Sequence, residues 1–279
     1  MARTLLDYAR ARSVADESLV RFRSAGDGRS VGWALHLLGW LDYRAGDRDL
    51  AKERFAEAVA LGREAGDRPS VGMNLRDLGV LADIEGDQAR ARALNDESVK
   101  LLRAVGDAWN LSHSIRFAAR LASQAGDRAQ MRVLLEEVQN LDEQLPDRWI
   151  ALATELRLAV LDPTRERYDE ARARFAETVA LVPGTGHLQF VWVSLALFSV
   201  LVLWYAEVVR GVRLAAAARN NANLLGFMDD IYRADRESSL AAARTALGEE
   251  AYAKAWAEGE AMTLDEAIAV ALAVEQSAS

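Results

Sequence analysis

Ala25-Gly26-Asp27, Ala45-Gly46-Asp47, Ala65-Gly66-Asp67, Glu85-Gly86-Asp87, Val105-Gly106-Asp107 and Ala125-Gly126-Asp127 stand 20 residues apart without a slip. Each glycine follows a stretch with helical character. A glycine just past a helix end takes the left-handed conformation without a Cβ clash and so stops the helix. The aspartate after it accepts hydrogen bonds from the free N–H groups of the next helix and suits its positive end. Asp127 and Gln130 add capping-box spacing. A 20-residue unit leaves about 16 helical residues, about 24 Å of helix. Turns this short make neighbouring helices antiparallel. Six registers in phase point to a repeat rather than to unrelated loops.

Composition agrees with an all-α chain. The 279 residues include four prolines and no cysteine, and strand-like runs are absent. No Pro/Ser-rich linker interrupts the period, which favours one continuous solenoid over two globular domains. Zero cysteines exclude disulfides and thiolate metal sites and suit a reducing, cytoplasmic setting. A net charge of −8 argues against the whole chain gripping nucleic acid or an anionic membrane. Met1 to Arg10 is charged and helical, unlike a signal peptide. Leu188 to Ala206 carries no charge over 19 positions, long enough for a membrane span. Its Gln189, Ser194 and Ser199, the missing basic flank on one side and its place in the period predict a buried solenoid helix instead.

Two 20-residue units make a 40-residue pair of helices A and B. Gly39, Gly79, Ala119, Ala159 and Ser199 form a series of small residues at 40-residue steps, each preceded by Leu38, Leu78, Ala118, Leu158 or Phe198. Twelve residues later come Ala51, Ala91, Met131, Ala171 and Gly211. Small residues let two helices approach closely. Ala51-Phe55-Ala58 and Ala171-Phe175-Thr178 give a 4,3 stripe on helix B.

Leu38-Gly39 with Ala51, Phe55 and Ala58, Leu78-Gly79 with Ala91, and Tyr168, Ala171, Phe175 and Pro183 resemble the tetratricopeptide pattern. Asn95, Ser98 and Met131 depart from it in the middle repeats. The period is 40 rather than the usual 34, as in the longer-helix variant found in bacterial signalling regulators. HEAT-like pairs have a similar period but account less well for the small-residue pairs. The end of the chain, Leu247-Gly248-Glu249-Glu250-Ala251-Tyr252, Ala255-Trp256-Ala257-Glu258-Gly259 and Met262-Thr263-Leu264-Asp265-Glu266-Ala267, resembles the C-terminal segment of the helical-repeat region in large ATP-binding LuxR-type transcriptional regulators. In those proteins the repeats lie between an ATPase module and a DNA-binding helix-turn-helix. No G-x-x-x-x-G-K-[ST] loop occurs here, and the chain opens in a B helix without its A partner. The resemblance therefore implies the sensor or scaffold part alone, as a separate protein or a piece of one.

The map that follows is a B helix over about 5–24, helix pairs over about 28–64, 68–104, 108–143 and 147–182, and a turn at Pro183-Gly184-Thr185-Gly186. A long apolar helix over about 187–209 then leads into Val212–Leu225 and a helix near Asp229–Leu247. The predicted fold is all-α, a right-handed α-solenoid of tetratricopeptide-like helix pairs with a C-terminal helical cap. Residues 1–186 hold the repeats, and 187–279 hold the terminal repeat and cap of the same continuous solenoid.

Catalytic chemistry is not visible. The only histidines are His36, His113 and His187, with no H-E-x-x-H and no carboxylate–His cluster, so no metal site or cofactor is expected. No nucleophile elbow occurs. Gly184-Thr185-Gly186-His187 is predicted to be a turn rather than a phosphate loop. Glu136-Glu137 and Asp229-Asp230 point apart on a helix and are poor acid–base pairs.

One constellation stands out on helix A. Residues 33, 36 and 40 share a face, and 40-residue steps give three rows. They are Trp33, Met73 and His113; His36, Arg76 and Arg116; and Trp40, Val80 and Arg120. Tyr43 and Arg44 lie one turn further along. The resemblance implies that this face lines a concave groove, with aromatic anchors and arginines able to grip a carboxylate or phosphate. The alternative places Trp33 and Trp40 in packing between repeats and pairs the arginines with acids across the stack. Further rows, Ala153, Leu156 and Val160, then Val193, Ala196 and Val200, are apolar and expected to lie under the C-terminal helices. The expected function is a non-enzymatic protein- or peptide-binding scaffold or sensor of a regulatory system, its partner carrying an acidic segment. The rivals are a small-molecule effector sensor and an oligomerisation module, with a homodimer through the open first-helix edge.

Overall fold

The computed structural model describes residues 2–145, 154, 156, 158, 165–181, 188–205, 207–219 and 233–273. Among them every regular element is a helix and no strand occurs. The helices are α1 Ala2–Ala25, α2 Gly28–Ala45, α3 Arg48–Glu64, α4 Arg68–Ile84, α5 Gln88–Val105, α6 Ala108–Gln124 and α7 Arg128–Asp142. They continue as α8 Arg165–Leu181, α9 Leu188–Trp204, α10 Val208–Arg219, α11 Arg233–Leu247, α12 Glu249–Glu260 and α13 Leu264–Leu272. Of the expected first half of the pair over 147–182 only 154, 156 and 158 are described, and the Pro183–Gly186 turn and residues 220–232 lie outside the described residues. The chain divides into two compact units, Met1–Leu121 and Ala122–Ser279.

The six Gly-Asp dipeptides are the corners. Every one of these glycines has positive φ, from +65° at Gly66 to +92° at Gly46. At each corner the glycine N–H reaches a carbonyl three residues back, and the aspartate N–H reaches one five residues back, as in Gly46 to Tyr43 and Asp47 to Asp42, each 3.0 Å. This pair of bonds closes the helix end. The same aspartate then opens the next helix: its carboxylate accepts the N–H three residues on, at Ser30, Leu50, Ser70, Arg90, Asn110 and Gln130. One residue thus satisfies orphan groups of two helices. For Asp127 and Gln130 this is the N-cap half of the capping box.

In the first unit neighbouring helices pack in chain order, α1 on α2, α2 on α3, α3 on α4 and α4 on α5, compatible with an α-solenoid. Odd-numbered helices are also tied to each other. Arg23 of α1 bonds Glu57 of α3 at 2.6 Å, and Arg63 of α3 bonds Glu97 of α5 at 2.7 Å, the same pair displaced by 40 residues. The B-helix stripe is buried wherever it is described. Positions 55, 95, 135 and 175 hold Phe, Asn, Leu and Phe, and positions 58, 98, 138 and 178 hold Ala, Ser, Val and Thr, all buried. Gly39 lies against the Phe55 ring, which an added Cβ would meet at 2.6 Å. At Gly79 the space is filled from the next A helix by Phe117. Asn95 can therefore stand where Phe55 stands one repeat earlier, and its Nδ2 donates to Ser114 O at 3.0 Å. Ser98 donates to Gly72 O at 2.6 Å, so α5 is fastened to α4 and α6 by polar bonds.

In the second unit α9 is enclosed. Every residue from Val191 to Leu203 is buried, and α8, α10, α11 and α13 all pack against it. Val193, Ala196 and Val200 lie under this cover. Phe198 stacks on Phe175 at 5.4 Å. No helix among the described residues is long and apolar enough to cross a membrane. The apolar helix ends at Trp204 rather than near 209, and α10 begins at Val208. The two helices approach closely past this end: a Cβ on Gly211 would fall 2.6 Å from the Leu203 side chain and 2.9 Å from its backbone nitrogen. Arg210 then donates to Val270 O and Ala271 O at 2.8 and 2.7 Å, which satisfies carbonyls in the last turn of α13.

Candidate functional site

The A-helix stripe converges on a residue outside its three rows, Asp77. Its carboxylate is 1% exposed, and α4 buries 13 of its 17 residues, so the group needs donors from the protein. Trp40 Nε1–H donates to Oδ2 at 3.0 Å. His36 Nδ1 lies 3.3 Å from the same oxygen. Arg76 reaches Oδ1 through Nε and Nη2, both at 2.9 Å. Two residues of α2 and one of α4 therefore share one carboxylate. Asn74 extends the cluster: its Oδ1 is 3.3 Å from His36 Nδ1 and its Nδ2 donates to Ser70 O at 2.8 Å.

Aromatic rings surround this hub. Phe55 of α3 lies 5.9 Å from both His36 and Trp40. Tyr43 meets Trp40 edge-on at 5.6 Å, and Trp33 meets His36 edge-on at 6.3 Å. Burial pushes the His36 pKa below its ordinary value against the pull of Asp77. Arg76 lowers it further, and the Asn74 bond raises it.

The rest of the stripe is distributed as follows. Trp33 is 45% exposed and Arg44 is exposed, while His36, Trp40, Tyr43 and Arg76 are half-buried. Met73 and Val80 are buried. His113 is half-buried and lies tilted against Trp109 with ring centroids 5.0 Å apart, Trp109 itself being 37% exposed. Arg116 and Arg120 are buried. Arg116 donates to Ser112 Oγ at 2.6 Å. Arg120 pairs with Asp83 of α4 and lies over the Phe117 ring at 4.7 Å. Gln88 also donates to Asp83. Ala153 and Val160 lie outside the described residues, and Leu156 is buried.

A second buried carboxylate, Asp42 of α2, is held by Arg12 of α1 and Arg54 of α3, each at 2.5 Å. Asp42, Asn74, Asp77 and Asp83 escape a search for periodic rows because none recurs at 40-residue steps. A signal was present nonetheless: Asp77 directly precedes the Leu78-Gly79 packing pair, and a carboxylate beside an apolar stripe calls for partners. Among the described residues no group of three or more His, Asp or Glu side chains is placed to hold a metal ion. No family profile and no curated protein matches this chain.

Proposed function

We propose that the chain is a non-catalytic scaffold or sensor module that binds a protein or peptide within a signalling or transcriptional regulatory system. In this reading the helix pairs form a right-handed, tetratricopeptide-like solenoid and the last helices are its cap. The observation that carries the reading is the contrast on α2. Trp33 presents an exposed indole and Leu37, one turn on, is also exposed, while His36 and Trp40 between and beyond them are anchored to Asp77. A rigid helix offering an aromatic anchor suits partner docking. Arg76, Arg116 and Arg120 have bonds inside the chain, so their first role is to hold α4 and α6. Arg44 is exposed on the same helix as Trp33. Val193, Ala196 and Val200 are covered by packed helices, so the docking reading is drawn from α2 alone.

The test is photo-crosslinking from position 33 of the full chain in its native host, followed by capture of the same partner with Trp33→Ala. The reading expects a discrete crosslinked protein and at least tenfold weaker capture by the variant. Equal capture by a folded Trp33→Ala protein would remove α2 as the docking face.

A further inference from the structure

Three features meet at His36. It bridges two helices, it touches acceptors only, and it supports the exposed tryptophan of the proposed docking face. Asn74 donates its amide to Ser70 O, which fixes Oδ1 toward the imidazole. Asp77 presents Oδ2. Both neighbours accept, so Nδ1 carries the hydrogen and Nε2 is the nitrogen that gains a proton on acidification.

The surroundings do not favour a second cation. Arg76 of α4 already contacts Asp77 through two nitrogens. On the α3 side the ring meets Phe55, and Arg54 of α3 is bound to Asp42. Arg12 of α1 is bound to the same Asp42. The charged groups acting on His36 are thus one carboxylate and one guanidinium, and the carboxylate is shared. An imidazolium here faces desolvation and Arg76 together. Its side chain retains 16% exposure, so outward rotation into water is an available response, and Trp33 packs edge-on against the ring that would move.

We propose that His36 makes the Trp33 face of α2 proton-responsive: the proton gained at Nε2 turns the imidazole, held at Nδ1 by Asn74 and Asp77, into a buried cation beside Arg76, and the rearrangement of that crowded pair re-orients Trp33. That the motion changes partner binding rests on the docking reading above; the motion itself does not.

The experiment uses the full chain labelled with 5-fluorotryptophan, followed by 19F NMR from about pH 8 to about pH 5. Imidazole proton resonances are followed in parallel, which three histidines make tractable. Trp33 is assigned with Trp33→Phe and His36 with His36→Asn. The expected result is a Trp33 shift whose midpoint coincides with that of His36, below an exposed histidine, with helical circular dichroism constant throughout. His36→Asn keeps an N–H donor near the Nδ1 position but does not titrate, and it abolishes the Trp33 shift. His113→Asn leaves it intact. Titration of His36 with Trp33 unmoved, the same shift in His36→Asn, or loss of helix at the same midpoint would each overturn the proposal. If His36→Asn fails to fold, the wild-type midpoints decide alone. Unaltered partner capture by Trp33→Ala would sink the docking reading and leave the proton link standing.

Discussion

Trp40 Nε1 donates to Asp77 Oδ2 at 3.0 Å and so ties α2 to α4 through a carboxylate almost without solvent contact. Asp77→Ala removes the acceptor shared by Trp40, His36 and Arg76. The loss is expected at about 3–5 kcal/mol, the range for breaking one side of a buried charge pair. Asp77→Asn keeps an acceptor oxygen and should cost less. Urea unfolding of both variants checks this, and an Asp77→Ala protein within about 1 kcal/mol of wild type would mean the hub contributes only an ordinary hydrogen bond.

The corner glycines make a prediction that separates backbone strain from packing. Gly46 and Gly106 have φ of +92° and +70°, and nothing lies within 4 Å of a Cβ built on either. Alanine there should cost about 1–2 kcal/mol from conformation alone. Gly28, the first residue of α2, is equally open but has no positive φ. Gly28→Ala should instead stabilise by up to about 1 kcal/mol, because it removes unfolded-state freedom. Thermal melts of the three variants give the comparison.

The helices were legible because their boundary chemistry is local. Gly-Asp specifies a left-handed corner and the next N-cap within two residues, and the glycine positions alone place α2 to α6 to within a residue or two. The B-helix stripe was legible because burial follows its spacing through Phe55, Asn95, Leu135 and Phe175. The hub was not, because its acceptors are aperiodic. Asp77 follows Arg76 in sequence, yet its other partners, His36 and Trp40, lie 41 and 37 residues away. A search for recurring rows finds the donors and passes over the carboxylate that gathers them. The close approach of Gly211 to Leu203 was illegible for a related reason: it is a tertiary distance.

Close approach gives a second pair of variants. Gly39→Ala places a Cβ 2.6–2.9 Å from the Phe55 ring. Overpacking of this kind costs about 1–3 kcal/mol, and Phe55→Leu in the same chain should recover part of it. Gly259→Ala meets the backbone oxygen of Arg213 at 2.2 Å and Ala216 Cβ at 2.8 Å. A backbone atom has no rotamer to escape into, so Gly259→Ala should be the more damaging and resist rescue by trimming a neighbouring side chain. Equal losses in chemical unfolding would contradict this ranking.

At α13 the expected pH dependence has a definite sign. Thr263 N donates to Glu266 Oε2 at 2.8 Å, and Glu266 N donates to Thr263 Oγ1 at 3.3 Å, a complete capping box. The backbone bond, then the Thr263 hydroxyl, hold the Glu266 pKa below its ordinary 4.5. A carboxyl whose folded pKa is depressed contributes stability that is present above the unfolded pKa and lost as pH falls through the folded one. Amide exchange in α13 should therefore quicken, relative to intrinsic rates, as pH drops below 4.5. Glu266→Gln should flatten that dependence, and an unchanged profile in this variant would exclude the capping box as its source.

Arg120 and Asp83 require a double-mutant cycle, because their pairing also governs any partner-binding experiment. Both side chains are almost fully buried, and Arg120 also lies over the Phe117 ring. Arg120→Met removes the guanidinium that faces Asp83, which keeps its bond from Gln88, and Asp83→Ala removes the carboxylate that pairs with Arg120. Each single change should destabilise by about 3–5 kcal/mol, while the double variant should lose much less than their sum. Additive losses would mean that the two groups act independently. With coupling present, weaker partner capture by Arg120→Met alone is explained by a disturbed α4–α6 seam. Only capture weakened in the double variant, with its seam rebuilt from apolar groups, would assign Arg120 a contact with the partner.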